Sequence, residues 1–136
     1  MNTLNDQIAF FVYQKQYEIL RELYAKFQHH YSLLGYECIK KMDNKDYQWY
    51  DYEYFNKLFD EQRDLTIKVF SVRPFITNEF FEGFSKILNT FYDFRNAFKE
   101  NEYEKIVANT GIMDMKFGEL RDQIYAFVHK NHGHKE

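Results

Sequence analysis

The sequence predicts an all-α protein, an antiparallel four-helix bundle with one additional short helix. Apolar residues recur at helical spacing through most of the chain, and no stretch alternates apolar and polar residues for long enough to form a strand. The predicted main helices are joined by short loops, which place consecutive helices side by side in opposite directions. We expect residues 1–136 to form a single domain with a flexible tail at about 130–136.

The most regular predicted helix spans residues 78–99, with Asn78 as its N-cap. Apolar residues follow one another in alternating steps of four and three, and this spacing stacks their side chains on one face. The stripe consists of Phe80, Phe84, Ile87, Phe91, Phe94 and Phe98. We therefore expect the rest of the chain to pack against this helix.

The first predicted helix spans residues 4–42, with Thr3 or Asn5 as its cap. Its apolar stripe consists of Ile8, Phe11, Val12, Ile19, Leu20, Leu23, Phe27, Tyr31 and Leu34. Gly35 costs about 1 kcal/mol relative to alanine inside a helix, but we expect the helix to continue past it. Apolar residues cover more of the first and last helices than a monomeric bundle requires, which favours a homo-oligomer.

A second helix is predicted over residues 47–72, after a loop at 42–46 that is rich in turn-forming residues. Pro74 ends this helix, because the residue before a proline is pushed out of the helical region. We expect Phe75 and Ile76 to tuck under the turn that follows.

The additional short helix is predicted at about 102–108. Asn101 is its expected cap, with Glu104 at the spacing of a capping box. The Asn-Thr-Gly sequence at 109–111 is typical of a helix end. The last helix is then expected to run from about residue 112 to residue 130.

Composition restricts the possible functions. The net charge is −3, so the chain lacks the basic field that a nucleic-acid-binding protein normally shows. No apolar run approaches the roughly 20 residues that span a bilayer, and helix 1 lacks the basic face of a membrane-surface helix. Cys38 is the single cysteine, which fits a reducing compartment. We expect a soluble cytoplasmic protein without a signal peptide.

The most unusual stretch is the aromatic segment, residues 47–59, whose rings are too many for one face of a short helix. Residues 43–64, which surround it, contain seven acidic and three basic side chains, a net charge of −4. Exposed Tyr and Trp are typical of binding hot spots. The predicted partner-binding residues are Tyr47, Trp49, Tyr50, Asp51, Tyr52 and Glu53. This pattern favours a non-enzymatic module, such as an inhibitor, adaptor or regulatory subunit, that docks onto a partner protein.

An alternative function is an enzyme or sensor with a small-molecule pocket between the helices, where bundles usually place such sites. The polar groups that helix 1 offers for its lining are Tyr13, Tyr24, His30 and Tyr31. No phosphate-binding loop or nucleophile motif accompanies them. We therefore expect no catalytic residue and no cofactor.

Two further motifs do not complete a site. His129 and His132 have a spacing that can share a metal, but no Glu-x-x-His pair of a di-iron bundle is present, and we expect no metal site. Arg95 and Asn96 resemble the front of the motif of HEPN-type ribonucleases. Residue 100, where such a motif needs histidine, is glutamate. We expect Arg95 to be an ordinary surface charge.

Overall fold

The computed structural model describes residues 3–44, 46–47 and 52–133, and all regular structure within them is helical. The elements are α1 (Leu4–Asp43), α2 (Tyr52–Val72), a 3₁₀ turn (Arg73–Phe75), α3 (Asn78–Lys99) and α4 (Tyr103–Gly133). The predicted all-α fold with four main helices is confirmed. No helix in the described part of the chain has the length and apolarity needed to cross a membrane.

Contacts between helices show that chain neighbours run in opposite directions. Phe70, late in α2, packs on Phe81, early in α3, with ring centroids 5.4 Å apart. Phe59, early in α2, lies instead beside Arg95, late in α3. α3 and α4 are also antiparallel, as the ring pairs Phe80–Phe127 and Phe91–Phe117 show. So are α4 and α1, through the ring pairs Tyr31–Phe117 and Tyr13–Phe127.

The predicted stripe of α3 forms the centre of the core. All six of its residues are buried, and none is more than 7% exposed. Phe27 of α1 packs on Phe84 and Phe91, with centroids 5.0 and 5.9 Å away. Phe117 of α4 lies 6.1 Å from Phe91. Since full burial of one phenylalanine contributes roughly 1.5–3 kcal/mol, this stripe supplies a large share of the folding free energy.

A threonine fixes the start of α1 and the start of α3. Thr3 caps α1 in a capping box, in which its hydroxyl accepts from the Asp6 backbone N–H and the Asp6 carboxylate accepts from the Thr3 N–H, each at 3.2 Å. Thr77 caps α3 by accepting from the Phe80 N–H at 3.3 Å. The prediction of Asn78 as this cap was wrong by one residue.

α1 continues through Gly35 to Asp43, as predicted. A Cβ placed on Gly35 would meet no atom within 4 Å, so this glycine lies on an open side of the helix and brings no neighbour close. Its helical geometry is maintained by the buried residues on either side, Leu34 and Cys38 among them.

The predicted separate helix at 102–108 does not exist, because α4 is continuous from Tyr103 to Gly133. Ile106 and Met113, seven residues apart on one face, are both fully buried, and this packing outweighs the Asn-Thr-Gly signal. Thr110 bonds back to the Ile106 carbonyl at 3.1 Å within the helix, and Gly111 has no positive φ. α4 also extends three residues beyond its predicted end.

Asn101 ends α3 rather than capping a following helix. Its φ of 55° is the only positive φ of a non-glycine residue in the described chain. The Asn101 N–H donates to the Phe98 carbonyl at 3.1 Å, and the Glu102 N–H donates to the Ala97 carbonyl at 2.9 Å. These two bonds are the Schellman pattern, in which asparagine is the common substitute for glycine. The predicted capping role of Asn101 was therefore wrong.

Three residues of the predicted α1 stripe are not in the core. Ile8, Phe11 and Val12 are 53%, 58% and 47% exposed, and the first buried residue of α1 is Leu20. The physical reason is length, because α1 has 40 residues and α4 has 31, whereas α2 has 21 and α3 has 22. Residues 4–17 of α1 extend beyond the end of α2, whereas Phe127 near the end of α4 still packs on Phe80 of α3.

Two surface predictions also need correction. Arg95 is not an ordinary surface charge, since its guanidinium lies 3.7 Å from the centre of the Phe59 ring, a cation–π contact between α3 and α2. Burial there lowers the pKa of Arg95. Ile76 is buried after the α2 turn as expected, but Phe75 is 59% exposed.

We expect Phe91→Ala to lower the free energy of unfolding by about 3–5 kcal/mol, because the cavity would open where rings from α1 and α4 meet α3. Urea denaturation followed by circular dichroism measures the change. Phe75→Ala is the matched control, since Phe75 is exposed, and it should shift the free energy by about 0.5 kcal/mol or less. Similar losses in the two variants would contradict the central position of Phe91.

Candidate interaction surface

The aromatic segment predicted to bind a partner is described in part. Tyr47 is half-buried and Glu53 is exposed in the first turn of α2. Trp49, Tyr50 and Asp51 lie outside the described residues, and so does the side chain of Tyr52, whose backbone begins α2. The proposed docking role of these residues therefore stays a prediction, and what the structure adds concerns the start of the segment.

Two buried charged residues of α1 hold that start in place. Glu37 is 3% exposed and Lys41 is 1% exposed. The Tyr47 hydroxyl donates to the Glu37 carboxylate, and the Lys41 ammonium donates to the Tyr47 carbonyl oxygen at 2.6 Å. The main chain and the side chain of Tyr47 are thus both bonded to α1. We call Glu37, Lys41 and Tyr47, together with Asn101, the anchor.

Asn101 connects the anchor to the turn between α3 and α4. The Lys41 ammonium also donates to the Asn101 side-chain oxygen, in the turn where α3 passes into α4. Lys40 completes the arrangement from the surface, with its ammonium 3.4 Å from Glu37 and 5.6 Å from the centre of the Tyr47 ring. The anchor therefore joins three parts of the chain at one end of the bundle.

The positions of Glu37 and Lys41 in the periodicity of α1 carry a signal for the anchor. Glu37 lies seven residues after His30, and Lys41 lies seven after Leu34, so both stand at positions that face the core. Lysine and glutamate are almost never fully buried unless they are paired. Charged residues in register with an apolar stripe thus indicated a buried polar contact, although the partners Tyr47 and Asn101 were beyond prediction.

A second buried polar contact lies in the middle of the bundle. His30 is fully buried, and its Nδ1 lies 2.9 Å from Glu61 Oε1 of α2. Its ring packs edge-on against Phe91 of α3, with centroids 4.8 Å apart. Burial lowers the pKa of His30, and the opposing effects of Glu61 and Gln62 are smaller. His30 is therefore neutral at pH 7, with its Nδ1–H donating to Glu61.

A groove of about 500 Å³ runs between α1 and α2 on the outer side of this contact. It is lined by Glu22, Ala25, Lys26, His29, Glu61, Asp64, Leu65 and Lys68. Acidic and basic side chains alternate around it, with Glu61 as the link to buried His30. Its lining could bind a small polar molecule that carries charges of both signs.

The side chains predicted to line a ligand pocket are not brought together there. None of the four lines the groove between α1 and α2. Tyr24 and Tyr31 pack against Phe117 of α4, at 5.9 and 5.0 Å, and the Tyr31 hydroxyl donates to Asp114. Tyr13 packs on Phe127. These tyrosines mainly join α1 to α4, and Tyr13 also lines a separate groove with Tyr17 and Val128. A role of these residues in binding a ligand stays a prediction.

The C-terminal histidines are described in part as well. His129 Nε2 lies 2.6 Å from the Tyr125 hydroxyl one turn earlier in α4. Among the described residues there is no group of three or more His, Cys, Asp and Glu side chains that could hold a metal ion. Comparison with protein-family models, with curated proteins and with solved structures found no match to this chain.

We expect acid to destabilise the protein through His30. The folded state lowers its pKa below the ordinary 6.5, so the stability that neutral His30 contributes is complete above pH 6.5 and is lost as pH falls below it. Between pH 7.5 and 5.5 the wild type should lose about 1 kcal/mol more than His30→Gln, which carries no titrating group there.

Urea denaturation at both pH values measures this difference between variants. His29→Gln is the matched control, because His29 is the exposed neighbour of His30, and it should keep the pH dependence of the wild type. Equal pH dependence in the wild type and His30→Gln would show that His30 is not held neutral by the fold.

Proposed function

We propose that this chain is a non-enzymatic protein-interaction module, an inhibitor, adaptor or regulatory subunit, and that it docks through the acidic aromatic segment around residues 47–59. The observation that supports the proposal is the anchor, which fixes the start of that segment. The single cysteine, Cys38, is free and buried, and on this ground we propose the reducing cytoplasm as its location.

Burying the charged residues of the anchor costs free energy that a simple connection between two helices would not require. Removing a carboxylate and an ammonium from water costs several kcal/mol each, which close pairing has to offset. A linker that only joined α1 to α2 would need no buried charge. Here Glu37 and Lys41 bind both the hydroxyl and the carbonyl of Tyr47. An ordered surface binds with less loss of conformational entropy, which is a reason to hold the start of the segment at Tyr47 in place.

The chemistry of the segment indicates what kind of partner it fits. Residues 43–64 have a net charge of −4 in a chain whose total is −3, so the acidic charge is concentrated there. Complementary charge guides association and selects among partners, whereas buried aromatic rings supply most of the affinity. The partner surface we propose is therefore basic at its rim, with apolar recesses for tyrosine and tryptophan rings.

A small-molecule sensor or enzyme is the second candidate function, and the groove between α1 and α2 is the observation that favours it. A ligand there would contact Glu61 directly and, through Glu61, would change the surroundings of buried His30. This candidate has weaker support, because three of the four polar groups expected to surround a ligand, the tyrosines of α1, pack against α4 instead.

The double substitution Trp49→Ala/Tyr50→Ala tests the proposed docking surface. We expect it to reduce partner capture from the native cell at least tenfold, measured by affinity purification and quantitative mass spectrometry, because hot-spot rings carry most of the binding energy. The helical circular dichroism signal and the melting temperature should stay nearly unchanged.

Phe75→Ala serves as the matched control, an exposed ring of the described chain at the other end of α2, and it should leave capture intact. Unchanged capture by the double variant would refute the docking role. A fall in melting temperature of more than about 8 °C would instead assign these two rings to the core, since about 1 kcal/mol shifts a domain of this size by a few degrees.

A further inference from the structure

The groove between α1 and α2 is formed by one face of each helix. Its titratable residues are spaced three or four apart on both helices, so they share these faces: Glu22, Lys26 and His29 on α1, and Glu61, Asp64 and Lys68 on α2. Leu65, which is 5% exposed, provides an apolar floor between them. The volume of about 500 Å³ lies in the range of small-molecule sites.

Glu61 is the acidic residue of this groove that is most removed from water. Its side chain is 33% exposed, whereas that of Glu22 is 61% exposed and Asp64 lies at the exposed rim. In the described part of the chain Glu61 has one hydrogen bond, from His30 to its Oε1 atom. Because His30 is neutral at pH 7, this bond does not balance the charge of Glu61. A charge held partly away from water is stabilised by an opposite charge or by further hydrogen bonds.

The lysines of the groove do not supply that opposite charge. Lys26 pairs with Glu22 of its own helix at 3.6 Å. Among the described residues, no lysine or arginine lies within ion-pair distance of Glu61 or Asp64. Asp64 lies one turn after Glu61 on the same face of α2, and both side chains line the groove. The two carboxylates are therefore presented to one cavity without a cation between them.

The hydrogen bond from His30 restricts the kind of cation that fits. It occupies Oε1 of Glu61 and leaves Oε2 as the acceptor on the groove. A guanidinium group binds a carboxylate best through two parallel hydrogen bonds, which need both oxygens. An ammonium group is a compact charge with three donors, so it can bond to Glu61 Oε2 and to the Asp64 carboxylate together. A hydrocarbon chain attached to that ammonium then lies against Leu65.

We propose that the groove binds a primary ammonium group on a short hydrocarbon chain, with Glu61 and Asp64 as its acceptors. A free amine and a lysine side chain of a partner protein both offer this chemistry. Because Glu61 also bonds to His30, whose ring packs on Phe91, occupation of the groove changes the surroundings of a core residue. The proposal rests on the second candidate function, to which it gives a ligand class, and it does not involve Trp49 or Tyr50.

Titration of the full chain with butylammonium chloride, followed by two-dimensional NMR at about pH 7.5 and constant ionic strength, tests the proposal. We expect saturable shifts centred on the amides of residues 61–65 and on the His30 ring. The dissociation constant should be about 1 mM, which is within the affinity limit for a ligand of this size. Butylguanidinium should bind at least fivefold more weakly, because one oxygen of Glu61 is occupied, and 1-butanol should cause no saturable shift.

Glu61→Gln should raise the dissociation constant at least tenfold, since its amide oxygen still accepts from His30 but its charge is lost. Asp60→Asn is the matched control, because Asp60 is the preceding acidic residue, pairs with Arg63 at 3.6 Å and does not line the groove. It should bind butylammonium as the wild type does. Circular dichroism shows whether each variant is folded.

The absence of saturable shifts up to about 50 mM butylammonium would overturn the proposal. So would an equal loss of affinity in Glu61→Gln and Asp60→Asn, or butylguanidinium binding as tightly as butylammonium. Nα-acetyl-lysine amide distinguishes the two sources, since tighter binding than butylammonium assigns the site to a lysine side chain and weaker binding assigns it to a free amine. Trp49→Ala/Tyr50→Ala should bind butylammonium normally, so this proposal and the docking role of residues 47–59 can fail separately.

Discussion

The aromatic stripe of α3 is the interaction on which the rest of this structure depends. Every other helix contacts α3 through an aromatic ring. Phe27 of α1 packs on Phe84 and Phe91, Phe117 of α4 packs on Phe91, and Phe59 of α2 lies under Arg95. Because α3 has only 22 residues, the core that it organises is shorter than α1 and α4. The length of this one helix therefore decides which parts of its neighbours are buried and which remain exposed.

The short length of α3 also explains why the two ends of α1 have different surroundings. At its C-terminal end, Glu37 and Lys41 form hydrogen bonds to Tyr47 and Asn101, which hold Tyr47 and the turn between α3 and α4 in place. At its N-terminal end, α1 packs on α4 through Tyr13 and Phe127, and Ile8, Phe11 and Val12 are exposed.

Periodicity predicted the four helices and the α3 stripe because both depend on spacing within one segment. It did not predict that Ile8 and Phe11 would be exposed, since a stripe shows which face is apolar but not how far the neighbouring helix reaches. The continuity of α4 through Gly111 was missed because buried Ile106 and Met113 outweigh a local signal. The aromatic segment of the candidate site could be predicted from composition. Its anchor could not, because it depends on Asn101, which adopts a left-handed backbone only in the folded turn.

Native-state hydrogen exchange tests the central position of α3 most directly. Amides from residue 84 to residue 94 should exchange only by global unfolding, so their opening free energy should equal the unfolding free energy from urea denaturation. Amides of α1 residues 4–17 should open at several kcal/mol less, because Ile8, Phe11 and Val12 are exposed. Exchange of the α3 amides through a smaller opening, with α1 and α4 still protected, would show that the bundle does not depend on this stripe.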